Sequence, residues 1–138
     1  MPEAARQDPE IGAAIDAAHT AVHAFVDAFN RSDQAAIADA FNFPHVRLAG
    51  GAFTSFADRA DFLARRAPVN AALRDEGWHH TVLESIEVVH ASRDKVHLSM
   101  RFTRHHVDGA VYADFPTLWI ATRQSGHWGI QFRSSYLT

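Results

Sequence analysis

The stretch Val96-His-Leu-Ser-Met-Arg-Phe-Thr103 decides the fold. Val96, Leu98, Met100 and Phe102 alternate with His97, Ser99, Arg101 and Thr103, and a period of two marks a strand with one buried face. The sequence on either side has the same character. Upstream, Trp78 to His90 is rich in Val, Ile and Thr, and Ala91-Ser-Arg-Asp94 supplies the turn. Downstream, Asp108-Gly109 is a hairpin signal that leads into a strand over Val111 to Thr122. Ser125-Gly126 turns the chain again into Trp128, Ile130 and Phe132, which alternate with polar or small residues to Tyr136. The second half therefore reads as a meander of long antiparallel strands.

The first half has a different period. Ile11, Ile15, Ala18, Val22, Phe25, Val26 and Phe29 follow the spacing of one helical stripe. Asn30-Arg31-Ser32-Asp33 interrupts it, with Ser32 the expected N-cap of a second helix through Phe41. Phe43-Pro-His-Val-Arg-Leu48 reads as a short strand, Gly50-Gly51 as a turn, and Ala52 to Thr54 as a brief return strand. Ser55-Phe-Ala-Asp58 matches a capping box for a third helix carrying Phe56, Leu63 and Ala67, which Pro68 should break or kink before its end at Gly77. Helices followed by an antiparallel meander make an α+β domain. The expected organisation is a flexible tail over residues 1–9 and one domain over 10–138.

Composition narrows the function classes. The 138 residues are 47% hydrophobic and 21% charged, an ordinary globular balance that supports one core. Cysteine is absent, which removes disulfides, thiolate metal sites and a Cys nucleophile. Thirteen Lys and Arg against 16 Asp and Glu give a net charge of −3, which does not favour nucleic acid. No apolar run reaches a membrane span and no secretion signal is evident, so the expectation is a cytoplasmic protein. No glycine-rich phosphate loop occurs, and no cofactor is expected.

Particular segments carry a family resemblance: Phe25-Val-Asp-Ala-Phe-Asn-Arg-Ser-Asp33, Phe41-Asn-Phe-Pro44, and the closing Ser125-Gly-His-Trp-Gly-Ile-Gln-Phe132. With the order of elements over residues 11–136, they resemble the nuclear transport factor 2-like (NTF2-like) superfamily, which includes SnoaL-like and ketosteroid isomerase-like proteins. Phe43–Leu48 and Arg133-Ser-Ser-Tyr136 resemble a largely uncharacterised SnoaL-like branch. The resemblance implies a cystatin-like cone, in which a strongly curved sheet wraps the first helix and leaves an apolar pocket. In ketosteroid isomerases a carboxylate on the strand after the second helix moves the proton, beside a Tyr and a protonated Asp. Here Phe43 stands where that carboxylate is expected, and the first helix has no Tyr.

Ten histidines invite an acid–base or metal reading. His45 on the short strand is the first catalytic candidate, because a neutral imidazole can exchange protons near neutral pH. Asp114 and Tyr112 share parity with Leu118 and Ile120, so they enter the cone if those aliphatics face inward. A bulge at Pro116 would reverse that parity. Arg47, His80 and Trp78 are the further ligand-binding candidates, Arg47 by parity with His45 and His80 by parity with Val82, Ile86 and Val88. His19 and His23 are spaced i, i+4, but no third ligand accompanies them, and no metal is expected. Three functions remain: a small-molecule-binding cone for a partly apolar ligand, such as one bearing a carbonyl; a cofactor-independent isomerase, dehydratase or cyclase using His45 with Asp114 or Tyr112; or a non-catalytic dimeric interaction module. Large apolar residues on both parities of Thr81–Val89 predict a homodimer through the sheet face.

Overall fold

The computed structural model describes residues 8–137; the tail expected over residues 1–9 lies mostly outside that range. The first helix, α1, runs from Pro9 to Asn30 and starts one residue before the expected domain boundary. Asp8 caps it, accepting from the Glu10 and Ile11 backbone N–H groups, while Pro9 occupies the first turn, where its missing N–H costs nothing. Its buried stripe is mostly small: Ala14, Ala18, Ala21 and Ala28, with Val22 and Phe25.

Helix α2, Gln34–Asp39, is capped by Asp33 and not by Ser32. Ser32 sits in the left-handed region at φ 56°, whereas an N-cap needs extended backbone. Phe41 leaves the helix to open β1 (Phe41–Ala49), which pairs with β2 (Ala52–Phe56) across Gly50-Gly51. Phe56 thus belongs to a strand, and Asp58 caps α3 (Arg59–Ala64) in place of Ser55. The break before α4 (Arg66–Asp75) falls at Arg65, which leaves Pro68 in a first turn that needs no N–H from it.

The meander comprises β3 (His80–Ala91), β4 (Lys95–His105), β5 (Val111–Gln124) and β6 (His127–Ser135). All six strands form one sheet in the order β2-β1-β6-β5-β4-β3. Only β1 with β6 is parallel; every other pair is antiparallel. The inner face carries Val96, Leu98, Met100 and Phe102 of β4 and Phe115, Trp119 and Ala121 of β5, all buried in the core with the α1 stripe. No described helix is long and apolar enough to cross a membrane.

Side-chain parity departs from the expected pattern in two strands. In β5 the odd positions face inward, so Leu118 and Ile120 lie on the outer face with Asp114, and Pro116 pairs in regular register with Arg101. In β3, register shifts at Leu83/Ser85 and Val88/His90 each insert a residue. Ile86 and Val88 therefore pair with the inward Met100 and Leu98, while Val82 pairs with Thr103 and His80 with His105 on the opposite face.

Candidate functional site

Between α1 and the inner sheet face lies a partly open cavity of about 50 Å³. One side is aromatic: Phe25 and Phe29 from α1, Phe102 from β4, and Phe115 and Trp119 from β5. The T-shaped contact of Phe25 with Trp119, ring centroids 4.9 Å apart, fixes that wall. The other side is cationic, with Arg47 of β1, Arg104 of β4 and Arg133 of β6. Arg47 and Arg104 also line an adjoining cleft that adds Glu76 and Tyr112, so these two residues stand at the mouth.

Arg133 is held from behind by His45. The His45 ring is fully buried and stacks on Phe41 with centroids 3.9 Å apart. Arg133 Nε donates to His45 Nε2 at 2.9 Å, so Nε2 is the acceptor. The imidazole proton is then on Nδ1, which donates to the Ile130 carbonyl at 2.8 Å. Burial, followed by the Arg133 charge, lowers the His45 pKa to about 2. Burial and then Arg47, Arg66 and Arg104 push the Arg133 guanidinium well below its ordinary range. Phe41 and Phe25 cover that guanidinium at 4.9 and 5.6 Å from their ring centroids.

The expected site residues divide. Arg47 lines the cavity. His45 lies behind the wall, with both nitrogens engaged. Tyr112 reaches only the cleft at the mouth, where its hydroxyl donates to Glu76 Oε1 at 2.6 Å and its ring stacks on His106. Burial and then Glu76 raise its pKa. Asp114 is outside the cone, in a two-point ion pair with Arg101 at 2.8 and 3.1 Å. Arg101 hydrogen-bonding holds its carboxyl below the usual range, so no raised pKa arises there. His80 stacks on His105 away from the cavity, again because of the β3 shifts. Trp78 does not line the cavity; it packs edge-on against Phe29 and donates from Nε1 to Thr81 Oγ1, bracing two residues that do. His19 and His23 lie on α1, and among the described residues no group of three potential metal ligands occurs.

Arg104 and Arg133 are functional candidates that the sequence reading missed. For Arg104 the signal was present: one more step of the Val96, Leu98, Met100, Phe102 stripe lands on it. For Arg133 it was hidden. A register shift between Ile120/Ala121 and their β6 partners leaves Gln131 unpaired, so Ile130 and Arg133 both face inward despite opposite parity.

A family profile described as NTF2-like protein (DUF6841) matches residues 16–135. Among curated proteins, none matches the chain. Solved structures resemble it at low identity. An NTF2-like protein of unknown function from Shewanella oneidensis is 14% identical with a TM-score of 0.66, covering 88% of this chain and 98% of that one. A ketosteroid isomerase-like protein from Erwinia carotovora atroseptica is 20% identical with a TM-score of 0.65, covering 94% and 97%. A structure from Catenulispora acidiphila in complex with S-DNPA is 14% identical with a TM-score of 0.68, covering 91% and 94%. These likenesses concern the cone-shaped fold.

Proposed function

Since the chain belongs to the NTF2-like family (DUF6841), we propose that it is a small-molecule-binding protein whose ligand occupies the cavity between α1 and the inner sheet face. One observation carries this reading: an aromatic wall and three guanidinium groups border space that no side chain fills. Apolar walls supply affinity through burial, and a few polar groups fix orientation. Binding is favoured over proton transfer by His45 with Asp114 or Tyr112, because His45 Nε2 already accepts from Arg133, Asp114 stands on the other face of the sheet, and the Tyr112 hydroxyl is taken by Glu76. The resemblance of Phe43–Leu48 and Arg133–Tyr136 supports a position beside the SnoaL-like branch.

The test is a titration of isotope-labelled protein with small aromatic compounds, neutral and anionic, followed by NMR. Saturable shifts are expected at Thr81, Phe102, Thr117 and Trp119, which border the cavity. Thr117→Trp, which puts a large ring into that space, is expected to abolish them. Saturation by no compound, or binding unchanged by Thr117→Trp, would reject the reading.

We also propose that the protein is a homodimer through the outer sheet face. What supports this is that Val46, Leu118, Ile120 and Phe132 meet there across β1, β6 and β5 and remain only partly covered. A solvated sheet face ordinarily alternates to polar residues.

A further inference from the structure

The cavity wall holds three guanidinium groups but, among the described residues, only one facing carboxylate. Glu76 Oε1 accepts from Arg104 Nη1 at 2.8 Å and also takes the Tyr112 hydroxyl. Arg104 Nε is buried with no partner among the described residues. Among the described residues Arg47 makes no hydrogen bond or ion pair, and Arg133 uses only Nε, on a neutral imidazole. Its two terminal nitrogens have no acceptor among the described residues. Arginine stays protonated in proteins, so these charges cannot be shed as a buried lysine's can. Burial and neighbouring charge press on two of them: burial and then Arg104 lower Arg47, and burial and then Arg47, Arg66 and Arg104 lower Arg133. Half-buried cations with unused donors, two of them without a carboxylate among the described residues and set opposite an aromatic wall, describe half of an ion-binding site.

We infer that the ligand is an organic carboxylate on an aromatic or similarly flat apolar skeleton, its carboxylate held by Arg47 and Arg133 and its ring lying against Phe25, Phe102 and Trp119. A carboxylate fits because its two oxygens match the parallel N–H pairs of a guanidinium fork. The stacking of Arg133 on Phe25 and Phe41, with His45 on its Nε, leaves its terminal nitrogens as the free edge. His45 is in this sense a positioning residue for the anion site. Arg104, tied to Glu76, stands at the mouth and favours entry of an anion. The inference rests on the cavity being the binding site, and it adds the ligand's charge.

The experiment compares 2-naphthoate with 2-naphthamide, which have nearly the same shape and differ in charge, by calorimetry and Trp fluorescence. Naphthoate is expected to bind at least about tenfold more tightly than the amide, the ratio of one charge-assisted hydrogen bond. Arg47→Met is expected to erase most of that ratio while leaving the melting temperature unchanged or raised, since it removes a repelled charge. Asp114→Asn, on the outer face, is expected to leave both affinities as they are. Equal binding of the two compounds, or naphthoate affinity unaffected by Arg47→Met, would overturn the anion assignment and leave the binding reading intact. An Arg47→Met protein that melts well below the parent would show the residue to be structural and would also overturn it. Failure of neutral and anionic aromatics alike would instead remove the binding reading itself.

Discussion

A solvated histidine titrates near pH 6.5, but His45 stays neutral far below that, because the apolar cage of Phe41, Phe43 and Phe56 excludes water and, next, the Arg133 charge sits on its free lone pair. This has a signed consequence. Below the unfolded value of 6.5 the unfolded chain binds a proton that the folded chain, with its value lowered to about 2, does not. Stability attributable to His45 is therefore full above pH 6.5 and is lost progressively as pH falls from there toward about 2. Between pH 7.5 and 5.5 the parent should lose about 1 kcal/mol more than His45→Gln, read from urea unfolding at each pH. An imidazole resonance of His45 that titrates near neutrality would contradict the buried, neutral assignment. Asp114 shows the opposite environment: half-exposed, and paired with Arg101 in water that screens the pair.

Among the elements, the junction of β1 with the β5–β6 hairpin fixes the cone. Asn42 Nδ2 donates to the Thr122 and His127 carbonyls at 2.8 and 3.0 Å, and its Oδ1 lies 2.7 Å from His127 Nδ1. The chains meet closely enough there that only glycine fits at 129. A Cβ on Gly129 would stand 2.5 Å from the Phe41 carbonyl carbon and 2.8 Å from Asn42 N. Both obstacles are backbone and cannot rotate away. Gly129→Ala should therefore cost at least about 2 kcal/mol in denaturant unfolding. A loss below about half a kcal/mol would mean that β1 and β6 slide apart freely. The same strand pair carries Arg47 opposite Arg133, so displacing it should also loosen the anion-binding edge.

For the whole molecule, the outer sheet face is the open question that assembly answers. Light scattering at micromolar concentrations should report twice the 15.3 kDa chain mass. Ile120→Glu should convert the protein to folded monomer, because a carboxylate at the centre of an apolar face is costly to desolvate. A monomeric parent would remove the dimer proposal without touching the cavity, which is bordered by residues of α1 and the inner face of one chain.

The sequence by itself determined the element order, the α1 stripe and the inward face of β4, because these follow from local periodicity: 3.6 residues in a helix and 2 in a strand. It also determined that the segment with His45 and Arg47 would be a strand, and their shared parity put them on one face. Tertiary structure alone decided where that parity failed. Register shifts in β3 sent His80 outward, and the one opposite Ile120/Ala121 brought Arg133 inward; no local pattern marks the extra residue. In β5 both parities carry large apolar side chains, so alternation could not choose the inner face; packing of Phe115 and Trp119 against α1 and the rest of the core did. Although Arg104 continues the β4 stripe, no local pattern showed that Arg47, Arg104 and Arg133 would form a cluster. Its members lie on three strands distant in sequence and meet only when β6 inserts between β1 and β5.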